Sequence, residues 1–302
     1  MKWNLLWLVV LLPIAIVAQI SGKLGIPIDH QGCPIEPLRT QTSIQLENRL
    51  VQKLNDNVLY RQLIKTKRLS IGLVDLRDLN DVKFAQINGD KMMYAASLPK
   101  IAILLAAMDA FEKGELEETS TVKKDLHLMI SKSNNQASTR MINRLGYDKI
   151  AAVLTDPKYK LYDENCGGGL WVGKRYAAGG DRNPDPMQGL SHAATATQVC
   201  RFYYLLLNGQ LVSTTRSKQM LELMLDPQLH HKFVNAFKEI APRARLFRKS
   251  GSWRNFHSDS ALVWGPNRKY ILVALSEDEA GEKLMRNLAR DIDKLLRELG
   301  NF

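Results

Sequence analysis

The stretch SLPKIAILLAAMDAF, residues 97–111, is where the chain changes its period. Upstream of it, residues 69–76 (LSIGLVDL) and residues 82–87 read as strands, the second closing on the turn signal Asn88-Gly89-Asp90. From Ser97 onward, Ile101, Leu104, Leu105, Met108 and Phe111 recur at intervals of three and four, the spacing of one helix face. Helical spacing continues to about residue 207, where Val199, Phe202, Tyr203 and Leu206 make another face. Residues 156–190 interrupt it with a stretch rich in Gly, Asp and Pro, expected as a long surface loop, and loops of that length are usually functional.

Strand character returns in residues 245–253, 260–264 and 270–275, the last two joined by Gly265-Pro266-Asn267. Leu284, Leu288, Ile292, Leu295 and Leu299 then stripe a final helix, and Leu46, Leu50, Val51, Leu54 and Val58 stripe one before the first strand. Strands near both ends of a chain can pair into one sheet and leave the middle as an insertion. The expected fold is therefore α+β: an antiparallel sheet flanked by N- and C-terminal helices, with an inserted all-helical lobe. We expect a leader over residues 1–22, a connector over 23–40, and one domain over 41–302. That domain divides into an α/β lobe (41–95 plus 243–302) and a helical lobe (96–242), with a cleft between them as the natural place for a site.

Composition narrows the class. The chain has 302 residues, 45% of them hydrophobic and 24% charged, a globular balance that excludes disorder and a polytopic membrane protein. Lys and Arg total 42 against 31 Asp and Glu, a net charge of +11. The one long apolar run, residues 5–18 (LLWLVVLLPIAIVA), follows Lys2 and is shorter than the roughly 20 residues of a membrane span. It suits a signal-peptide core, with an uncleaved anchor as the alternative, so the folded part is expected to be exported, periplasmic or secreted. Cys33, Cys166 and Cys200 lack zinc-site spacing and cannot all pair; buried free thiols are the plainer expectation.

Three short groups carry chemistry. Ser97 and Lys100 are three residues apart at the opening of the first lobe helix, hence on one face. A serine hydroxyl needs a base to act as a nucleophile, and a buried lysine of lowered pKa can be that base. Backbone N–H groups at a helix N-terminus favour the negative charge that develops beside it. Ser133-Asn134-Asn135 follows 36 residues after Ser97, in the polar break SKSNNQ between apolar segments. Lys249-Ser250-Gly251 lies in the strand-like stretch after residue 243.

In type and order these groups resemble the Ser-x-x-Lys, Ser-Asp-Asn and Lys-Thr-Gly elements of the penicillin-recognising serine enzymes, and residues 44–299 are similar to a class A β-lactamase-type domain. The resemblance implies that Ser97 is acylated and Lys100 activates it. It implies that Ser133 relays a proton to the departing nitrogen and that Asn135 holds the acyl side chain. Lys249 and Ser250 would bind the substrate carboxylate, and the N–H groups of Ser97 and Ser252 would form an oxyanion hole beside Gly251. The implied activity is opening of β-lactam amides through an acyl-enzyme. The alternatives are a D-Ala-D-Ala carboxypeptidase or penicillin-binding protein of slow deacylation, and a non-catalytic binding relative. No cofactor or metal is implied. The expected partner is a β-lactam or a peptidoglycan stem peptide, met by a monomer.

The chain also departs from the family pattern. The segment between Ser97 and Ser133 is short, Asn134 replaces Asp, and Ser250 replaces Thr. The family's Glu-x-x-x-Asn of the long loop, which activates the deacylating water, has no counterpart in LYDENCGGG, residues 161–169. By register Glu164 is the nearest carboxylate, with Asp163 beside it. The six histidines show no metal spacing, and His192 reads as a capping or packing residue at the start of a helix. Arg243, Arg245, Arg248, Lys249 and Arg254 form a basic cluster without nucleic-acid motifs, read as a field for a carboxylate-bearing substrate, with Arg254 a second contact for that group.

Overall fold

The structure is a computed structural model that describes Ile26, Ile28, residues 35–225 and residues 227–300. The expected leader, Cys33 and most of the connector lie outside the described residues. Two helices, α1 (Ile44–Asn55) and α2 (Val58–Lys65), precede strands β1 (Leu69–Asp75) and β2 (Lys83–Ile87). After residue 243 come β8 (Arg245–Trp253), β9 (Phe256–Gly265), β10 (Arg268–Glu277) and the terminal helix α10 (Gly281–Leu299). The five strands form one antiparallel sheet in the order β2-β1-β10-β9-β8, so the two ends of the chain meet where β1 pairs with β10. This is the α+β architecture expected from the period changes.

Strand alternation sends each strand to two different cores. Ile71, Leu73, Leu272 and Ala274 face the flanking helices α1 and α10, while Val74, Ile271, Val273 and Phe247 face the helical lobe. Because both faces are covered, β1 reads as continuously buried. The lobe itself contains α3 (Lys100–Glu112), α4 (Ser120–Ser131), α5 (Asn135–Leu145), α6 (Tyr147–Thr155), α7 (Ala196–Leu207) and α8 (Thr214–Met224). Helix α3 is buried on every side from Lys100 to Phe111, which explains its nearly all-apolar sequence. Helix α7 lies on the sheet with Cys200 against Gly72; a Cβ at Gly72 would come within 2.5 Å of the Cys200 sulfur. Cys200 is a buried free thiol, as expected, and Cys166 is free as well.

Three sequence readings are corrected. Helix α9 (Phe233–Ile240) packs Phe233, Val234 and Phe237 with the terminal helices on the outer face of the sheet, so the helical lobe stops short of residue 242. His192 lies in the short strand β7 (His192–Ala194) and not at a helix start, because its backbone pairs with Val172. The 156–190 stretch is organised by brief strands, β4 (Tyr162–Asp163), β5 (Gly168–Gly169) and β6 (Trp171–Val172). A two-residue strand, β3 (Met93–Tyr94), pairs with β7 and leads into Ser97. Among the described residues, no helix is long and apolar enough to cross a membrane.

Candidate active site

Ser97 sits in a tight turn just before α3, whose i→i+3 hydrogen bonds run from Lys100 N to Ser97 O (3.3 Å) and from Ile101 N to Leu98 O (3.2 Å). The helix proper begins at Lys100, after Pro99, and Ala96 takes a left-handed φ of 51°. The turn projects Ser97 outward, half-buried, while Lys100 points into the lobe and is fully buried.

The second group closes on Lys100 from the lobe. Helix α4 ends at Ser131, and α5 starts at Asn135, capped by Asn134, whose Oδ1 accepts from Ala137 N at 2.7 Å. Capping explains why Asn at this middle position substitutes for Asp. Ser133 bridges the helices with φ 53°, which turns its carbonyl toward Lys100. Lys100 Nζ donates to Ser133 O at 2.6 Å and to Asn135 Oδ1 at 2.8 Å, and lies 3.3 Å from Ser133 Oγ. Burial lowers the Lys100 pKa from 10.5 to about 7. In the neutral amine both N–H bonds are used on these two carbonyls, so the lone pair remains free to accept a serine proton.

The third group comes from the sheet. Strand β8 is the edge strand of the sheet, paired with β9 and bridged at Phe247 by Leu225, and alternation puts Phe247, Lys249 and Gly251 on the face toward the lobe. Lys249 Nζ therefore reaches Ser133 Oγ at 2.8 Å and also donates to Ser250 O at 3.0 Å. Burial, with Lys100 and Arg248 nearby, holds Lys249 well below the ordinary lysine range. Gly251 lies against the Ser97 turn: a Cβ there would stand 2.5 Å from Ser97 N and closer still to Ala95 O. Ser250 stands on the opposite strand face and is buried; Ser252, next along, is exposed.

Residues that sequence reasoning overlooked hold this strand. Arg248 is buried and pairs with both oxygens of buried Asp259, at 2.7 and 2.8 Å. Buried Lys232, at φ 51°, donates to the carbonyls of Gly251 and Ser258, and burial lowers its pKa to about 8. Arg248, read from sequence as part of a substrate field, is thus a strut. No local signal pairs Arg248 with a residue on the next strand.

Glu164, the expected deacylation base, is not a lining residue of the cavity beside Lys100. Glu164 lies exposed on a 3-10 turn (Glu164–Cys166), packed toward the side of the molecule where Cys166 meets Arg39 and Asp163. Tyr176, from the loop after β6, instead covers Lys100, with Nζ 4.4 Å from its ring centroid. An adjoining cavity of about 750 Å³ is lined by Tyr94, Tyr176, His192, Trp253 and Phe256, by Asn135, and by the cations Lys174, Arg175 and Arg254. Asn135 and Tyr176 join it to Lys100. Arg175 Nε is buried without a hydrogen-bond partner among the described residues. No Asp or Glu is among the described lining residues. Among the described residues, no cluster of three or more His, Cys, Asp or Glu is placed to hold a metal.

Comparison with known proteins bears on the family and the fold. The model of the "Beta-lactamase enzyme family" matches residues 53–125 and 117–296. No curated protein matches the chain. Among solved structures, a β-lactamase from Sphaerobacter thermophilus superposes with TM-score 0.63 at 17% identity, over 81% of this chain and 95% of that one. The structure of PBP-A gives TM-score 0.62 at 18% identity, over 88% and 100%. A mutant of the class A β-lactamase of the last common ancestor of Gram-negative bacteria gives 0.64 at 16%, over 83% and 98%.

Proposed function

The chain belongs to the β-lactamase enzyme family, and on that premise we propose that it opens β-lactam amides by transferring the acyl group to Ser97. The observation that carries this reading is the Ser133 hydroxyl held between two buried lysines, 3.3 Å from Lys100 Nζ and 2.8 Å from Lys249 Nζ. Neutral Lys100 takes the Ser97 proton as Oγ bonds to the carbonyl carbon. As the C–N bond breaks, Ser133 hands its proton to the nitrogen and is reprotonated from the lysine side. The N–H groups of Ser97 and Ser252 receive the oxyanion. The outer edge of β8 beyond the Leu225–Phe247 bridge offers its backbone to an extended ligand, and Lys249 receives the substrate carboxylate. An arriving carboxylate raises the Lys249 pKa again, so binding charges the lysine that binding needs.

The fate of the acyl-enzyme favours the slow member of this chemistry, a penicillin-binding or D-Ala-D-Ala carboxypeptidase type. Glu164 is exposed, and no described carboxylate is among the residues lining the cavity beside Lys100, which is consistent with slow activation of a hydrolytic water. A variant of PBP-A has been solved as an acyl-enzyme complex with penicillin G, which is consistent with covalent capture on this fold. Intact-mass spectrometry after exposure to benzylpenicillin tests the reading. A single adduct that Ser97→Ala abolishes is expected; an unmodified wild-type protein rejects acylation. With a chromogenic cephalosporin, one equivalent of product is expected, and sustained fast turnover rejects the slow type.

A further inference from the structure

Tyr176 is tied to the nucleophile segment on three sides. Its ring lies under Lys100 Nζ at 4.4 Å, and its hydroxyl donates to the carbonyl of Ala96, the residue before Ser97, at 3.3 Å. Its ring also leans on His192, with ring centroids 4.3 Å apart at 42°. His192 is itself locked. Its Nε2 lies 3.0 Å from the Lys174 carbonyl, which can only accept, so Nε2 carries the proton and Nδ1 accepts from Ser191 Oγ at 3.2 Å. Burial holds His192 at about 4 and raises the Tyr176 phenol well above 10. Neither ring changes charge near neutral pH, and both histidine nitrogens are occupied.

Hydrolysis of an ester on Ser97 adds a water oxygen to the carbonyl carbon, breaks the bond from that carbon to Oγ, and leaves one water proton on Oγ. The water needs a base within hydrogen-bond reach. Lys100, one helical turn after Ser97, is the base of the acylation step, and its surroundings are Ser133 O, Ser133 Oγ, Asn135 Oδ1 and the Tyr176 ring. An aromatic face attracts an ammonium group but gives a water molecule little to bond to.

We propose that Tyr176 is a positioning residue that sets the lifetime of the acyl-enzyme: its ring, held against Lys100 and His192 and anchored through its hydroxyl to Ala96 O, keeps hydrolytic water off the Lys100 side of the Ser97 ester. This rests on acylation of Ser97. The chain then functions as a covalent trap because an aromatic plug fills the space in which a water and its base would stand. The loop after β6 supplies that plug, and β7 supplies its backstop.

The test follows decay of the benzylpenicillin adduct by intact mass, with acylation rate measured separately and thermal unfolding in parallel. Tyr176→Ala is expected to shorten the adduct half-life at least tenfold while changing the acylation rate less. Tyr176→Phe, which keeps the ring, is expected to stay within twofold of wild type. Tyr176→Leu serves if the Ala variant does not fold, with at least a threefold shortening expected. An adduct whose half-life is unchanged or longer in the ring-deleted variant overturns the proposal and leaves Ser97 acylation standing. No adduct on the wild-type protein overturns both.

Discussion

Lys249 Nζ lies 2.8 Å from Ser133 Oγ, joining an edge strand of the sheet to a helix junction 116 residues earlier in the chain. The contact makes the hydroxyl the meeting point of two buried amines. Ser133→Ala removes it with little change in volume, so acylation by benzylpenicillin should slow by roughly 10²–10⁴-fold, the usual worth of a positioned proton-transfer group. Stopped-flow acylation kinetics measure this. A change below threefold would remove Ser133 from the relay.

The pH profile should report Lys100. Because burial sets its pKa at about 7 and the neutral amine is the base, acylation should rise with pH and level off above about 7. Below that value it should fall about tenfold per unit. Stability has the same sign. Lys100 and Lys232 are both held below 10.5 in the fold, so the unfolded chain binds more protons from about pH 7 upward and unfolding free energy rises there. Denaturant titrations at pH 6.5 and 8.5 should show greater stability at the higher pH.

Gly251→Ala should separate the strand from the nucleophile. The new Cβ would meet the backbone of Ala95 and Ser97, which cannot rotate aside, and overpacking of this kind costs about 1–3 kcal/mol. Thermal unfolding and acylation should both suffer. Unaltered kinetics would mean that β8 does not touch the nucleophile turn in solution.

Glu164→Gln should leave adduct lifetime within twofold of wild type, since Glu164 is exposed and absent from the described cavity lining. A strongly lengthened lifetime would restore it as the deacylation base and require the 161–169 loop to reach the cleft.

The cationic wall of the cavity should select acyl side chains. Arg254 is exposed, with φ 51° in the β8–β9 turn and its guanidinium 5.8 Å from the Trp253 ring. Arg254→Glu should reduce acylation by a penicillin bearing a side-chain carboxylate about tenfold more than acylation by its neutral analogue. Equal effects on both would limit Arg254 to a general field.

Much of the fold was legible because it is periodic. Alternation over residues 69–75 and 245–253, and the three-and-four spacing after Lys100, are local consequences of strand and helix geometry. The Asn134 cap is local too, since Asn134 Oδ1 accepts from the N–H three residues on. Long-range choices were not. Whether Arg248 faces substrate or Asp259 depends on strand pairing, and the 156–190 loop has no period from which to infer where a side chain points.

The sequence by itself determined the order of elements, the three short groups at Ser97, Ser133 and Lys249, and the absence of a Glu-x-x-x-Asn pattern in the loop. Only the tertiary structure decided which side chains surround Lys100 and Ser133. It sent Glu164 to the outer surface and Tyr176 onto Lys100, and it brought Lys249 to Ser133 across two lobes. The reason is physical. Local spacing sets which face a side chain occupies, whereas burial, lowered lysine pKa values and the exclusion of water come from groups distant in sequence packing around one point.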